Sequence, residues 1–346
     1  MVQGIDLFAG AGGLTIGLKS AGVETVCAVE IDPYRTRTFA IHTSGAKIIT
    51  GDVRETQFSD YRCRVQLVYG GPPCQPFSSG GLRYAEADKR DMIPQFIRVV
   101  ENVKPDAFLM ENVPGLVAGD RMTYLSKVIR QFEDLGFLVN WRVVNACDYG
   151  VPQKRRRLFV VGLRKNTFQF PEPTHGPDRP NAHVRVRDVL LEYQVGEPNL
   201  SKVFYAKNPD LRPSPFDGHV YNGGGRPIDR DQPAHTILAS AGGNKTHFFD
   251  DMDLVPKYHA HLTRGGEPRT GVLEGARRLT VQESAILQTF PADMVFCGPR
   301  SAQYHQVGDA VPPLLAGVMG RALLAQMADP SKQQPKRRSR QGVLFE

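Results

Sequence analysis

A chain of 346 residues, 41% of them hydrophobic, can form one large core with a smaller lobe, and no apolar run approaches the roughly 18 residues of a membrane span. The opening MVQGIDLFAG has no signal-peptide pattern, and Cys27, Cys63, Cys74, Cys147 and Cys297 are an odd, scattered set without a CxxC pair; a cytoplasmic protein with reduced thiols, no disulfide framework and no bound metal is expected. The formal charge of +7 suggests a polyanionic partner, but residues 330–346 carry a net +4 of it, so bulk charge is weak ground and local motifs must decide.

In chain order, apolar β-type runs at Gly4–Phe8, Thr25–Glu30, Val65–Tyr69, Ala107–Glu111, Asn140–Asn145 and Leu158–Leu163 alternate with helical patterns. Met92, Ile93, Phe96, Ile97, Val100 and Val103 form one helical stripe; Leu125, Val128, Ile129, Phe132 and Leu135 form another. The pattern predicts a doubly wound α/β domain with a mostly parallel sheet. After the first strand, Asp6-Leu-Phe-Ala-Gly10-Ala-Gly12-Gly13 allows a tight turn against a ligand, although a plain strand-to-helix turn fits this loop equally well. Glu30 ends the second strand about 20 residues beyond the glycines, as ribose recognition requires, and Asp52 ends a third apolar run where it could accept from an adenine amine. Together these acids favour an adenosine-containing ligand without separating S-adenosylmethionine from a dinucleotide, so a dinucleotide oxidoreductase stays open at this point.

Gly70-Gly-Pro-Pro-Cys74-Gln-Pro-Phe-Ser78 follows the next strand, at the edge where open α/β sheets bind substrates. A lone cysteine is more often buried structure than nucleophile, but Glu111 in Met110-Glu-Asn-Val-Pro114 ends the neighbouring strand, where a carboxylate is costly without a task or partner. The loop Ser78–Asp91, with Gly80, Gly81, Arg83, Lys89 and Arg90, reads as a mobile lid or as an ordinary surface loop. In Gln153-Lys-Arg155-Arg-Arg157 the two outer arginines share one face if extended, ready for a carbonyl oxygen or phosphate, whereas a solvated basic stretch is the alternative.

Beyond Thr174, Pro and Gly rise and seven of the nine histidines fall between His175 and His261, the texture of a small loop-rich lobe. Thr280-Val-Gln-Glu283 has capping-box spacing and opens a helix through Leu287; the apolar stretch Val311–Leu324 is expected to pack back on the first domain. The expected division is residues 1–173 for catalysis and cofactor, 174–299 for target recognition, 300–328 returning to the catalytic domain, and 329–346 as a disordered basic tail.

The ordered set DLFAGAGG, VEID, GDV, GGPPCQPFS, MENVPGL, NACDYGVPQKRRRLFVVG, RRLTVQESAILQTFP and YHQVGDAVPPLL resembles the cytosine carbon-5 DNA methyltransferases of bacterial modification systems. The resemblance spans Ile5 to about Leu324 and implies an S-adenosylmethionine-dependent methyltransferase fold with a target-recognition domain. It implies methylation of a flipped-out cytosine in a short double-stranded DNA site through a covalent Cys74 adduct, with Glu111, Arg155 and Arg157 as further catalytic residues. S-adenosylmethionine would lie against Phe8, Ala9, Gly10, Gly12, Gly13, Leu14, Glu30, Ile31, Asp52, Val53, Pro72, Asp309, Ala310 and Val311. DNA would meet Ser78, Arg83, Gln153, Arg226, Thr236 and Ile237, with Gly223 to Arg226 in a recognition loop. A monomer on bacterial DNA, accompanied by a separate cognate restriction endonuclease, is the implied setting. One residue departs from the pattern: Asp309 stands where the family usually has Asn, which puts that turn's cofactor contacts in question. The transfer-RNA branch of the family and a non-catalytic DNA-binding relative are the rival readings; the long recognition segment favours DNA, and the intact Cys74, Glu111 and Arg157 favour an enzyme.

Overall fold

A computed structural model describes residues 1–74, 90–119, 121–190, 193–205, 209, 224–239 and 243–328. Most of the expected lid, with Ser78 and Arg83, lies outside the described residues, as do Gly223 and the tail from residue 329.

The first elements are β1 (Val2–Leu7), α1 (Gly13–Ala21), β2 (Val23–Glu30), α2 (Pro33–His42), β3 (Lys47–Thr50) and β4 (Leu67–Gly70). Then come α3 (Ile93–Val103), β5 (Ala107–Asn112), α4 (Arg121–Asp134), β6 (Leu138–Asn145) and β7 (Arg156–Leu163). The seven strands form one sheet in the order β3-β2-β1-β4-β5-β7-β6. β1 through β5 run parallel, because helical or long crossovers return the chain to the same edge. β7 is antiparallel to both β5 and β6: only a short connection follows β6, and the chain turns back without a crossover helix. The strand order reverses between β1 and β4, placing a crevice above their carboxyl ends.

Local chemistry fixes the elements around that crevice. Asp32 caps α2 by accepting from the Tyr34 and Arg35 amides, and Pro33 opens the helix. In α3, buried Ile93, Phe96, Val99, Val100 and Val103 recur on one face, the stripe legible in the sequence. The smaller half contains α5 (Val186–Val189), β8 (Phe248–Phe249), α6 (Leu254–Thr263), β9 (Arg277–Arg278), α7 (Val281–Leu287) and α8 (Arg300–Asp309). At α7 the capping box forms as the spacing predicts, with Thr280 and Glu283 side chains bonding each other's backbone amides at 3.0 and 2.9 Å.

The last helix, α9 (Pro313–Ala328), lies along α1 and buries Leu315, Ala316, Met319 and Leu323 with Leu14 and Leu18. A Cβ added at Gly17 would stand 2.3 Å from the Pro313 carbonyl oxygen, so the two backbones approach as closely as only glycine allows. The stretch Arg300–Ala328 is apolar enough by composition to cross a membrane, but most of it is buried within the fold. α8 instead joins a second core, where Tyr304 and Val307 pack with Ile237, Leu279, Leu287 and Phe290.

Beneath the crevice, Asp6 accepts from Thr15 Oγ1 at 2.6 Å, and a chain of hydroxyls continues through Tyr69 to Thr25. Complete burial pushes the Asp6 carboxyl up to about 8, Thr15 opposing and Glu30 adding to the shift. Since an unfolded aspartate releases its proton near roughly pH 4, the folded chain holds an extra proton between that pH and about 8. The stability this proton supports is complete at the acid end of the window and is lost as pH rises through it. Asp6→Asn should flatten that part of the stability profile in urea unfolding at stepped pH; an unchanged slope would assign the proton elsewhere.

Candidate active site

One cleft of about 850 Å³ lies over the carboxyl ends of β1 to β5 and is lined by residues of both groups singled out in the sequence, although Gly12 is not among them and faces the Phe39 ring instead. Its walls include Phe8, Ala9, Gly10, Gly13, Leu14, Glu30, Ile31, Asp52, Val53 and Pro72 from the nucleoside set, together with Asp309, Ala310 and Val311. Cys74, Glu111 and Arg157 line the same cleft from the other side of the strand reversal.

On the β1 to β3 side, Phe8 holds a left-handed backbone conformation, φ 59°, unusual for an aromatic residue and part of the turn that opens the loop. Glu30 is buried and fixed: one carboxylate oxygen accepts the Gly10 amide at 2.8 Å and the other the Asp32 amide at 2.9 Å. Each oxygen keeps a lone pair for a ligand. Gly10, at φ +57°, has open space where a Cβ would stand, so a bound molecule can approach its backbone. Gly13 has the opposite need, because a Cβ there would lie 2.4 Å from the Val311 carbonyl oxygen. Asp52 caps the 3-10 turn Val53–Glu55, and the Arg54 side chain holds its carboxyl below the usual range. Ile31 is 66% exposed, an apolar surface on the cleft wall.

On the β4 to β5 side, Asn112 donates to the Pro72 carbonyl at 3.0 Å and pins the Cys74 loop to β5. Glu111 lies so close to this loop that a Cβ at Gly71 would be 3.0 Å from its Oε2. Antiparallel pairing places Phe159 opposite Glu111, and two residues earlier Arg157 reaches across to donate from Nε to Glu111 Oε1 at 2.9 Å. Burial raises the Glu111 carboxyl, with Arg157 and Arg155 opposing, so its proton is held more tightly than on an ordinary glutamate. Burial, aided by Asp91, also pushes the Cys74 thiol up, while Arg121 opposes. The resting thiol is therefore protonated at neutral pH.

Arg155 and Gln153 are placed differently from what the sequence suggested. Arg155 is fully buried and does not line the cleft; its guanidinium donates to the carbonyls of Ile237 (3.0 Å), Gly308 (2.7 Å) and Ala310 (2.9 Å). Gln153, also fully buried, accepts from the Ile237 amide and donates to Leu287 O and Gln288 Oε1. Segments 234–238 and 308–310 close over Gln153 and Arg155, whereas Lys154 between them is exposed. Thr236 and Ile237 line the cleft beside Leu238, whereas Arg226 runs beside β8, away from the cleft lining. Leu238, Asn112, Gln306 and Arg35 also line the cleft and were not named as site residues, although Asn112 and Gln306 fall within the shared motifs. Only Asp309 offered a clue: an unexpected carboxylate calls for a cation, and Arg35 supplies it. Elsewhere Cys147, Asp148 and His183 bring three ligand-type atoms within 4.8 Å, and Asp148 already accepts from the other two.

A cleft continuous across a strand-order reversal is the arrangement of doubly wound α/β enzymes that hold two ligands end to end. The chain belongs to the C-5 cytosine-specific DNA methylase family, whose sequence profile matches residues 2–325, and is a DNA cytosine methyltransferase. It is 33% identical over 338 residues to the Type II methyltransferase M1.HphI of Haemophilus parahaemolyticus, covering 92% of this chain and 86% of that one. It is 32% identical to the Type II methyltransferase M.NgoMIV of Neisseria gonorrhoeae, over 92% of this chain and 96% of that one. Among solved structures it resembles a Spodoptera frugiperda DNMT2 mutant, with TM-score 0.69 and 18% identity over 95% of this chain and all of that one. At that identity the likeness concerns the fold alone.

Replacing Arg155 should act on the fold before the chemistry. Arg155→Ala leaves three carbonyls without their donor, and a loss of about 3 kcal/mol or more is expected in denaturant unfolding. A variant as stable as the parent would show that the three segments are held by other contacts.

Proposed function

We propose that the protein transfers a methyl group from S-adenosylmethionine to carbon 5 of a cytosine flipped out of a specific double-stranded DNA sequence, through a covalent bond to Cys74. The observation that carries this reading is the shared cleft, with the Glu30 and glycine-loop wall on one side and Cys74, Glu111 and Arg157 on the other. The first wall suits an adenosine ligand: Glu30 keeps lone pairs for ribose hydroxyls, Ile31 offers an apolar face for the base, and Gly10 leaves room for close approach. Asp52, at the far end of that wall, accepts from the adenine amine.

Cytosine carbon 5 is a weak nucleophile, and temporary addition of a thiol activates it. The Cys74 sulfur gives its proton to water and bonds to carbon 6 as the carbon 5–carbon 6 double bond opens, while Glu111 donates its tightly held proton to ring nitrogen 3, so the electron pair becomes available at carbon 5. S-adenosylmethionine, when bound, would supply an electrophilic sulfonium methyl to carbon 5, leaving S-adenosylhomocysteine as the methyl–sulfur bond breaks. Loss of the carbon-5 proton to water then restores the ring double bond as the carbon–sulfur bond to Cys74 breaks and ring nitrogen 3 returns its proton to Glu111. Arg157 orients Glu111 and steadies the ring oxygen; Arg155, with no opening to the cleft, acts by positioning. The reaction needs the base outside its stack, at a cost of a few kcal/mol offset by contacts in the cleft. The relatives' Type II methyltransferase designation supports a modification role; a separate endonuclease and action as a cytoplasmic monomer on DNA belong to the same proposal.

The test is a duplex whose target cytosine carries fluorine at carbon 5. Methyl transfer should proceed but elimination should stall, leaving a denaturation-resistant adduct that maps to the Cys74 peptide and is absent in Cys74→Ala. An adduct on any other cysteine, or turnover by Cys74→Ala, would overturn the mechanism.

Sequence choice is proposed to reside between about Thr174 and Gly275, the stretch of the 174–299 domain that lacks the shared motifs. Grafting that stretch into a relative with another target should transfer the specificity, as read by bisulfite sequencing. An active chimera that keeps its host's target would refute the division.

A further inference from the structure

The chemistry above leaves one charged pair of the cleft without a task. Arg35, in the first turn of α2, and Asp309, at the end of α8, are 274 residues apart in sequence and form a hydrogen-bonded ion pair across the cleft mouth. Both line the cleft, and their side chains are 24% and 46% exposed, so a ligand can reach each of them. The other carboxylates near Arg35 are engaged by backbone: Glu30 accepts from Gly10 and Asp32, and Asp32 accepts from Tyr34 and Arg35. Asp309 is therefore the direct ion-pair partner of Arg35 among the described residues. The turn that bears Asp309 is also continuous with the glycine-loop wall, since Val311 and Ala310 abut Gly13.

We propose that Arg35 and Asp309 form a clamp for the amino-acid end of the cofactor: the pair opens, Arg35 takes the α-carboxylate and Asp309 takes the α-ammonium. This rests on the reading of the cleft as the S-adenosylmethionine site. An amino-acid zwitterion presents opposite charges a few ångströms apart, so it can lie antiparallel to an ion pair and replace one charged contact with two. The exchange leaves the net charge of the cleft mouth unchanged, and neither protein charge is stranded. A neutral residue at position 309 would leave Arg35 without its counter-charge in the free protein. The two residues thus act as a matched set: Asp309 in place of the family's usual Asn is balanced by Arg35.

Calorimetry on the full chain with three ligands separates the contributions: S-adenosylmethionine, its decarboxylated form, which keeps the ammonium alone, and 5′-deoxy-5′-methylthioadenosine, which lacks the amino-acid end. Arg35→Gln should weaken S-adenosylmethionine by about 10-fold or more, as for a lost charge-assisted hydrogen bond, and leave the other two within about twofold. Asp309→Ala should weaken both amine-bearing ligands and spare methylthioadenosine, whose retained binding also reports an intact fold. Equal losses for all three ligands, or no loss for any, would overturn the clamp while leaving the cofactor site in place. Failure of the parent protein to bind S-adenosylmethionine or methylthioadenosine would instead overturn the cofactor reading, and the clamp with it.

Discussion

The buried Arg155 guanidinium is the contact on which the two halves of this protein depend. It reaches from the residue before β7 to carbonyls of two segments distant in sequence, Ile237 in one and Gly308 and Ala310 in the other. A buried cation is expensive unless engaged, and here Nη1 and Nη2 meet main-chain oxygens that also need donors, while the buried Nε has no partner among the described residues. The cost of burial thereby becomes a constraint on geometry: the segments close only where all three carbonyls converge. Gln153 adds a second strut to the same joint through Ile237 and Gln288. Arg157, two residues along, is left to face the cleft and Glu111.

Much of the sheet was legible because its strands are apolar runs bounded by glycine, proline or acidic residues. The stripes of α3 and α4 and the Thr280 cap were legible for similarly local reasons, periodicity and spacing. The nucleoside wall and the residues Cys74 and Glu111 could be placed because each follows directly from a strand end, and strand ends gather at one edge of a parallel sheet. The alternation of Arg155 and Arg157 was read as two groups on one face, which holds for an extended segment in the open. It could not disclose that residues 234–238 and 308–310 close over one of them, because that contact joins parts of the chain 82 and 153 residues distant. The Arg35–Asp309 pair was hidden for the same reason.

The electrostatics of the cleft also follow from placement rather than composition. Three carboxylates, Asp6, Glu30 and Glu111, sit at or below its floor with little solvent, and their settings differ. Asp6 meets hydroxyls and keeps its proton, Glu30 meets backbone amides that suit an acceptor, and Glu111 meets a guanidinium while burial still favours its acid form. The carboxyl group thus serves as a structural acid, a hydrogen-bond acceptor and a group with a raised proton affinity within a single domain.

The packing of α9 on α1 has a consequence for synthesis on the ribosome. The glycine loop of residues 8–13 emerges well before residues 309–311 and the helix after them, which supply its outer wall. Contacts of such long sequence separation form late, and domains synthesised from the amino terminus cannot draw on segments still unmade. A nascent chain can pair β1 to β5 but cannot complete the cleft until α9 has been translated. Competence to act on DNA is thereby deferred until that helix is made, and a chain interrupted before it is left without a finished site.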